Sequence, residues 1–146
     1  IVRPIANVDL YTLASPDYLN RLQQPLRLTH LQEHFLIGYQ IKNLDTDFER
    51  LYFKNIQVNL PYKLCVEDTE SYLHAALQGL GIIQIPAFDA VPFIAQNKLI
   101  RIFEDEPCLK IPVNFLFLER KYRPAYFQFF IEWLESLLKN KLSKIS

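Results

Sequence analysis

Apolar and polar positions along the chain fall into short runs and helical stripes, and the clearest is residues 67–86, EDTESYLHAALQGLGIIQIP. Tyr72, Leu73, Ala76, Leu77 and Leu80 recur at helical spacing. Thr69 is the expected N-cap, and Glu70 sits in the first turn, where a carboxylate suits the positive end of the helix dipole. Gly79 stands where a left-handed C-cap is needed, and Gly81 lets the chain turn at once into an apolar strand over 82–85. Pro86 closes that strand and can open a following helix.

The same reading extends to both sides. A strand over 8–14 carries apolar residues on both faces, as strands covered on two sides do. Ser15-Pro16 starts a short helix to about residue 23, and Thr29 caps another over 31–34. Residues 35–40 form a short strand that opens into a loop at Gly38, and 43–49 read as a polar loop. Three strands follow, over 51–54, 56–60 and 63–66, with a turn at Asn55 and a break at Pro61. A helix over 88–95 ends at Asn97-Lys98. Then come a strand over 99–103, an acidic turn, a strand over 111–118 and a long helix from 123 to about 139. This order predicts an α/β fold with a mixed sheet. The last helix has an apolar face wider than a surface helix needs, including Phe127, Phe130, Ile131, Trp133 and Leu134.

Composition narrows the partners. With 146 residues and 50% hydrophobic content, the chain has material for one well-filled core. Sixteen basic and 16 acidic residues cancel, so nothing draws the chain to phosphate backbones or anionic membranes. No run of about 20 apolar residues exists to span a membrane, and no signal-peptide pattern is present. The first residue is Ile1 rather than Met, which points to a piece of a longer protein. Cys65 and Cys108 are isolated in sequence and are read as two buried thiols in a reducing cytoplasm.

Three stretches together resemble the effector-binding domain of LysR-type transcriptional regulators. The first is Leu77-Gln78-Gly79-Leu80-Gly81-Ile82 running to Pro86, with Gln78 where that family often has alanine. The second is Leu10 to Leu19, LYTLASPDYL, similar to a strand that ends in an A-S-P-x-Y-L helix start. The third is Leu99 to Phe103. The resemblance spans nearly all of residues 10–138. It implies a fold like the type 2 periplasmic binding proteins: two α/β subdomains, two crossing strands, and a small molecule in the cleft. Residues 1–106 would then be the second subdomain. Residues 107–146 would be the returning strand and a terminal helix belonging to the first. The winged helix-turn-helix would lie outside this chain, so DNA would be met only through that missing part. The terminal helix, deprived of its usual partner, is expected to find apolar cover elsewhere, on a second copy of the chain.

Chemistry along the sequence favours binding over catalysis. His30 and His34 stand four apart, but not in a His-Glu-x-x-His order, and their host helix is very short, so no metal site is expected. No nucleophile motif appears, and Glu67, Asp68 and Glu70 are better explained by a helix start than by acid–base work. In open α/β sheets ligands collect at strand C-termini and helix N-termini. Two such places are candidates: Leu36, Ile37, Gly38 and Tyr39 at a strand end, and Asp68, Thr69 and Glu70 at a helix start. The resemblance places both on the effector cleft, with Ile111 on the returning strand as a further candidate. Tyr39 offers a ring and phenol, Thr69 a hydroxyl, and Gly38 a close backbone approach. Acidic groups beside Thr69 disfavour an anion at that point.

The leading expectation is therefore a small-molecule-sensing regulatory domain, cytoplasmic, without cofactor, and part of a homodimer or homotetramer. The alternative is a fragment of a periplasmic solute-binding protein of the same fold. An enzyme on a related fold would need a convergent set of titratable groups, which the sequence does not show.

Overall fold

The computed structural model describes residues 1–23, 25–39, 48–117 and 124–145, the side chain of Phe48 apart. The long strand β1, Val2–Ala14, is the backbone of the architecture. Its C-terminal part pairs antiparallel with β5 (Ile83–Pro86) and with β6 (Ile100–Arg101). Its N-terminal part, Val2 to Asp9, pairs antiparallel with β7 (Lys110–Leu116). One strand thus serves both a sheet and a two-stranded ribbon.

A second sheet has the order β2-β4-β3, formed by β2 (Leu36–Tyr39), β4 (Gln57–Val66) and β3 (Phe48–Tyr52). β2 is parallel to β4, and β3 is antiparallel to it, so the sheet is mixed as expected. A parallel bridge, Leu36 to Ile82, joins the two sheets, with the Ile37 amide donating to the Ile82 carbonyl at 3.0 Å.

Alternation along the central strands explains the burial. Leu13, Ile37 and Ile83 enter one core with Tyr72 and Ala76; their neighbours Ala14, Leu36 and Ile82 enter another with Leu51 and Leu60. Each strand feeds both cores, as the two-sided apolar pattern requires. Helices α2 (Thr69–Leu77) and α3 (Ala87–Ala95) cover the first core. The short helix α1 (Pro16–Asn20) and a 3₁₀ segment, Leu28–Glu33, cover the second.

Several local expectations change. Pro61 does not break a strand. β4 runs through it, because the ladder to β3 ends at the Phe48–Pro61 pair and the ladder to β2 starts at Tyr62. The missing N–H falls where the strand changes partner. Thr29 is not a cap, since the 3₁₀ segment begins after Arg27 and takes Thr29 inside it. Leu80 lies beyond the helix and is exposed. Cys65 is exposed rather than buried, Cys108 is half-buried, and no disulfide joins them. Gly79, at φ +73°, is the left-handed cap as expected, and its carbonyl receives the Arg21 guanidinium. Gly81 is needed for space: a Cβ there would meet the Phe35 carbonyl at 2.8 Å. Gln40 and residues 43–47 of the expected polar loop lie outside the described residues, as do Leu118 and Arg123. Phe48 and Glu49, expected in that loop, instead begin β3, where they pair with Pro61 and Leu60 of β4.

The final helix α4, Ala125–Ser143, packs along the ribbon. Arg3 of β1 pairs with Glu135 at 2.6 Å, and Lys139 pairs with Glu135 across one helical turn. Ile131 is the one buried residue of the helix, whereas Tyr126, Phe129, Phe130 and Trp133 are exposed.

Candidate functional site

β2 and α2 end and start side by side, because parallel strands deliver their C-terminal ends to one edge of a sheet. Tyr39 closes β2 and Thr69 opens α2, and their hydroxyls stand 3.4 Å apart. They border a cleft of about 390 Å³, within the range of small-molecule sites. The two segments picked out in the sequence therefore meet.

The helix start differs in one residue. Asp68, not Thr69, is the N-cap: its backbone is extended (φ −132°, ψ 154°), and its carboxylate accepts from the Ser71 amide at 2.8 Å. That hydrogen bond holds the Asp68 carboxyl below its usual range. The shift leaves the Thr69 hydroxyl free of capping duty and facing Tyr39.

The other chosen residues lie elsewhere. Leu36 and Ile37 are core residues on opposite faces of the sheet. Gly38 makes a close approach, but to the Tyr62 ring: a Cβ would stand 3.1 Å from Tyr62 Cγ. Asp68 and Glu70 are exposed at the helix start and are not among the cleft-lining residues. Ile111 pairs with Val8 in the ribbon, away from the lining.

The rest of the lining comes from residues that the sequence reading did not propose as ligand contacts, Leu10 and Pro86 among them. Glu49, Arg50 and Tyr52 come from β3, Gln84 and Ile85 from β5, and Asp89 from the first turn of α3. Tyr72, read from sequence only as a packing residue, puts its ring 5.2 Å from that of Tyr39, edge to face. Its phenol accepts the Gln84 amide at 3.0 Å, and burial pushes its pKa far up, so it stays protonated. Glu49 is fixed by two main-chain donors, the amides of Tyr39 at 2.9 Å and Arg50 at 3.1 Å. Desolvation raises the Asp89 carboxyl above the ordinary aspartate range. One signal was available: Gln84 is the lone polar residue in the run Ile82-Ile83-Gln84-Ile85. Glu49 and Asp89 carried none, because β3 and α3 reach the cleft only through tertiary packing.

This arrangement can hold a largely apolar molecule against the tyrosine side chains and offer it hydroxyls and carboxylates at the edges. Among the described residues, the lining contains no His or Cys. Among the described residues, no three of His, Cys, Asp and Glu gather as a metal site would require. His34 instead accepts or donates a 3.1 Å hydrogen bond with Tyr18, and burial lowers its pKa.

A long strand shared by a two-faced α/β lobe and an antiparallel ribbon defines the class, a periplasmic-binding-protein-like ligand domain. Residues 1–139 match the LysR substrate binding domain, and the chain belongs to that family. It is 27% identical over 145 residues to YhjC, an uncharacterized HTH-type transcriptional regulator of Escherichia coli K12, with 97% of this chain and 48% of that protein covered. It is 24% identical to SinR of Salmonella typhimurium LT2, a probable HTH-type transcriptional regulator, covering 97% of this chain and 46% of that one. The chain thus spans about half the length of these relatives. Among solved structures, it superposes on the regulatory domain of CrgA, a LysR-type transcriptional regulator of Neisseria meningitidis, with TM-score 0.76 at 20% identity, covering 93% of this chain and 68% of that one. The regulatory domain of AphB from Vibrio vulnificus gives TM-score 0.71 at 23% identity, with 94% and 68% covered.

Proposed function

We propose that this chain is the small-molecule-sensing part of a LysR-type transcriptional regulator, with its effector held at the Tyr39–Thr69 edge of the cleft. The observation that carries this reading is the convergence of a strand end and a helix start on a 390 Å³ cleft walled by Tyr39, Tyr52 and Tyr72. In this reading residues 1–106 are one lobe, and residues 107–146 return toward the other. The parent protein meets DNA through a helix-turn-helix and works as a homodimer or homotetramer in the cytoplasm. Binding changes how the two lobes close and so how the DNA-binding parts are presented. The names of the relatives support the regulator over the periplasmic alternative.

The effector fitting this wall is largely apolar, and neutral or cationic. The described lining carries two carboxylates, Glu49 and Asp89, against one guanidinium, Arg50, and this balance disfavours a free anion. The test is a small-molecule screen read by ¹⁵N amide shifts on the chain. Hits should move Tyr39, Thr69 and Gln84 together and lose at least about tenfold in affinity in a Tyr39→Ala variant. Hits that bind only at other faces overturn the assignment of the cleft.

A further inference from the structure

We propose that Gln84 is the positioning residue that sets the tyrosine wall of this cleft and couples it to β1. The inference rests on the cleft reading for its purpose, while its geometry stands independently.

A carboxamide placed in an apolar strand must find partners for two donors and an acceptor, or it costs folding free energy. Gln84 finds them in two directions. Its Oε1 accepts the Tyr52 amide at 2.8 Å, and its Nε2 donates to the Tyr52 carbonyl at 3.0 Å. The same Nε2 donates to Thr12 Oγ1 at 2.8 Å. Its own amide donates to the Tyr72 phenol.

The Tyr52 contact replaces a missing strand. At the end of the β3–β4 hairpin, the ladder bond is made by the next residue, with the Phe53 amide donating to the Ile56 carbonyl at 2.9 Å. The main-chain groups of Tyr52 point the other way, to the outer edge of β3, where the Gln84 side chain takes both. At Tyr52 the edge is pinned by one side chain. Two of the three cleft tyrosines, Tyr52 and Tyr72, are therefore held by Gln84.

The Thr12 contact leads out of the lobe. Thr12 is the cross-strand partner of Gln84 and is buried. Its carbonyl accepts the Ile102 amide at 2.9 Å. Ile102 lies on the segment that leaves β6, and β1 itself continues into the ribbon with β7. Contacts run from the Tyr39 ring to Tyr72, to Gln84, to Thr12, and on to both segments that exit the lobe. A molecule that displaces Tyr72 changes what Gln84 can hold, and Thr12 feels it.

Two variants and one perturbation test this on the full 146-residue chain. Gln84→Met removes the side-chain bonds at similar bulk. Hydrogen exchange of the Tyr52 amide should speed by roughly tenfold or more in it, and stay unchanged in Thr12→Val, which cuts only the arm to β1. Tyr72→Phe supplies the perturbation, since it removes the acceptor of the Gln84 amide. It should shift the Ile102 amide resonance in the parent chain, and that shift should fall by more than half in Thr12→Val. A plain packing role would leave the Ile102 response untouched by Thr12→Val. Unchanged Tyr52 exchange in Gln84→Met, or an undiminished Ile102 shift in Thr12→Val, overturns the proposal. Should Gln84→Met fail to fold, the Thr12→Val arm decides. No ligand enters this experiment, so its failure leaves the cleft assignment to the binding screen.

Discussion

Leu13 in β1 and Trp133 in α4 both occupy apolar positions of strongly patterned elements, yet Leu13 is 0% exposed and Trp133 60%. The lobe around Leu13 is closed on both faces of its sheet by helices and turns. The helix around Trp133 touches a two-stranded ribbon with one side and presents Tyr126, at 75% exposure, and Phe129 on the other. Periodicity says that a face wants cover. Whether cover arrives depends on what else the fold brings to that place. Exposed aromatic side chains gathered on one face make it a candidate contact surface.

Core truncation should separate the two regions most strongly. Leu13→Ala should cost about 2–5 kcal/mol in urea unfolding, as a fully buried leucine does. Trp133→Ser should change the stability of the free chain by no more than about 0.5 kcal/mol. Equal losses would erase the distinction. Next in size is Gly79→Ala. The left-handed backbone there, with a Cβ 2.9 Å from Arg21 Nη2, should cost about 1–2 kcal/mol. No comparable position occurs in α4.

The exposed face should also show itself in association. If a second copy covers it, sedimentation of the chain should reveal self-association, and a Phe129→Glu, Trp133→Glu double variant should remain folded and monomeric. A chain that is already a monodisperse monomer at high concentration would remove the second copy as the occupant.

The smallest expected effect is a pH dependence inside the lobe. Burial holds the His34 pKa below its ordinary 6.5. The unfolded chain therefore binds a proton at His34 more readily than the folded chain. Stability should be insensitive to this group well above pH 6.5 and should fall as pH drops below it toward the lowered folded value. His34→Gln should flatten that slope in urea titrations, and an unchanged slope would assign it to other groups. On α4, by contrast, the hydrogen bond from Lys139 holds the Glu135 carboxyl below its usual range.

Much of the lobe was legible from local rules. The cap and turn at Ser15-Pro16 and at Gly79 form as their residues dictate, because caps and left-handed turns are satisfied within a few residues. The meeting of the 36–39 and 68–70 segments at one edge followed from strand polarity and from the family resemblance. Pro61 was misread because its tolerance depends on a change of strand partner that lies 13 residues away, at Phe48. Thr69 was assigned the wrong duty because Asp68 and Thr69 are both good caps, and only backbone geometry chooses between them. Leu36, Ile37 and Gly38, expected as ligand contacts, fill cores or seat Tyr62.

By itself the sequence determined most of the helices and strands, that the central strands are buried on both sides, and the turn at Gly79–Gly81. Those properties rest on side-chain periodicity and on glycine and proline backbone limits, which act over a few residues. Tertiary structure alone decided the rest: that Glu49, Tyr52, Gln84 and Asp89 share a wall with Tyr39 and Thr69, and that the aromatic face of α4 stays open. Those residues come from different strands and helices, and their meeting depends on strand order and register. A local pattern records that a side chain needs a partner, and strand topology chooses which partner it receives.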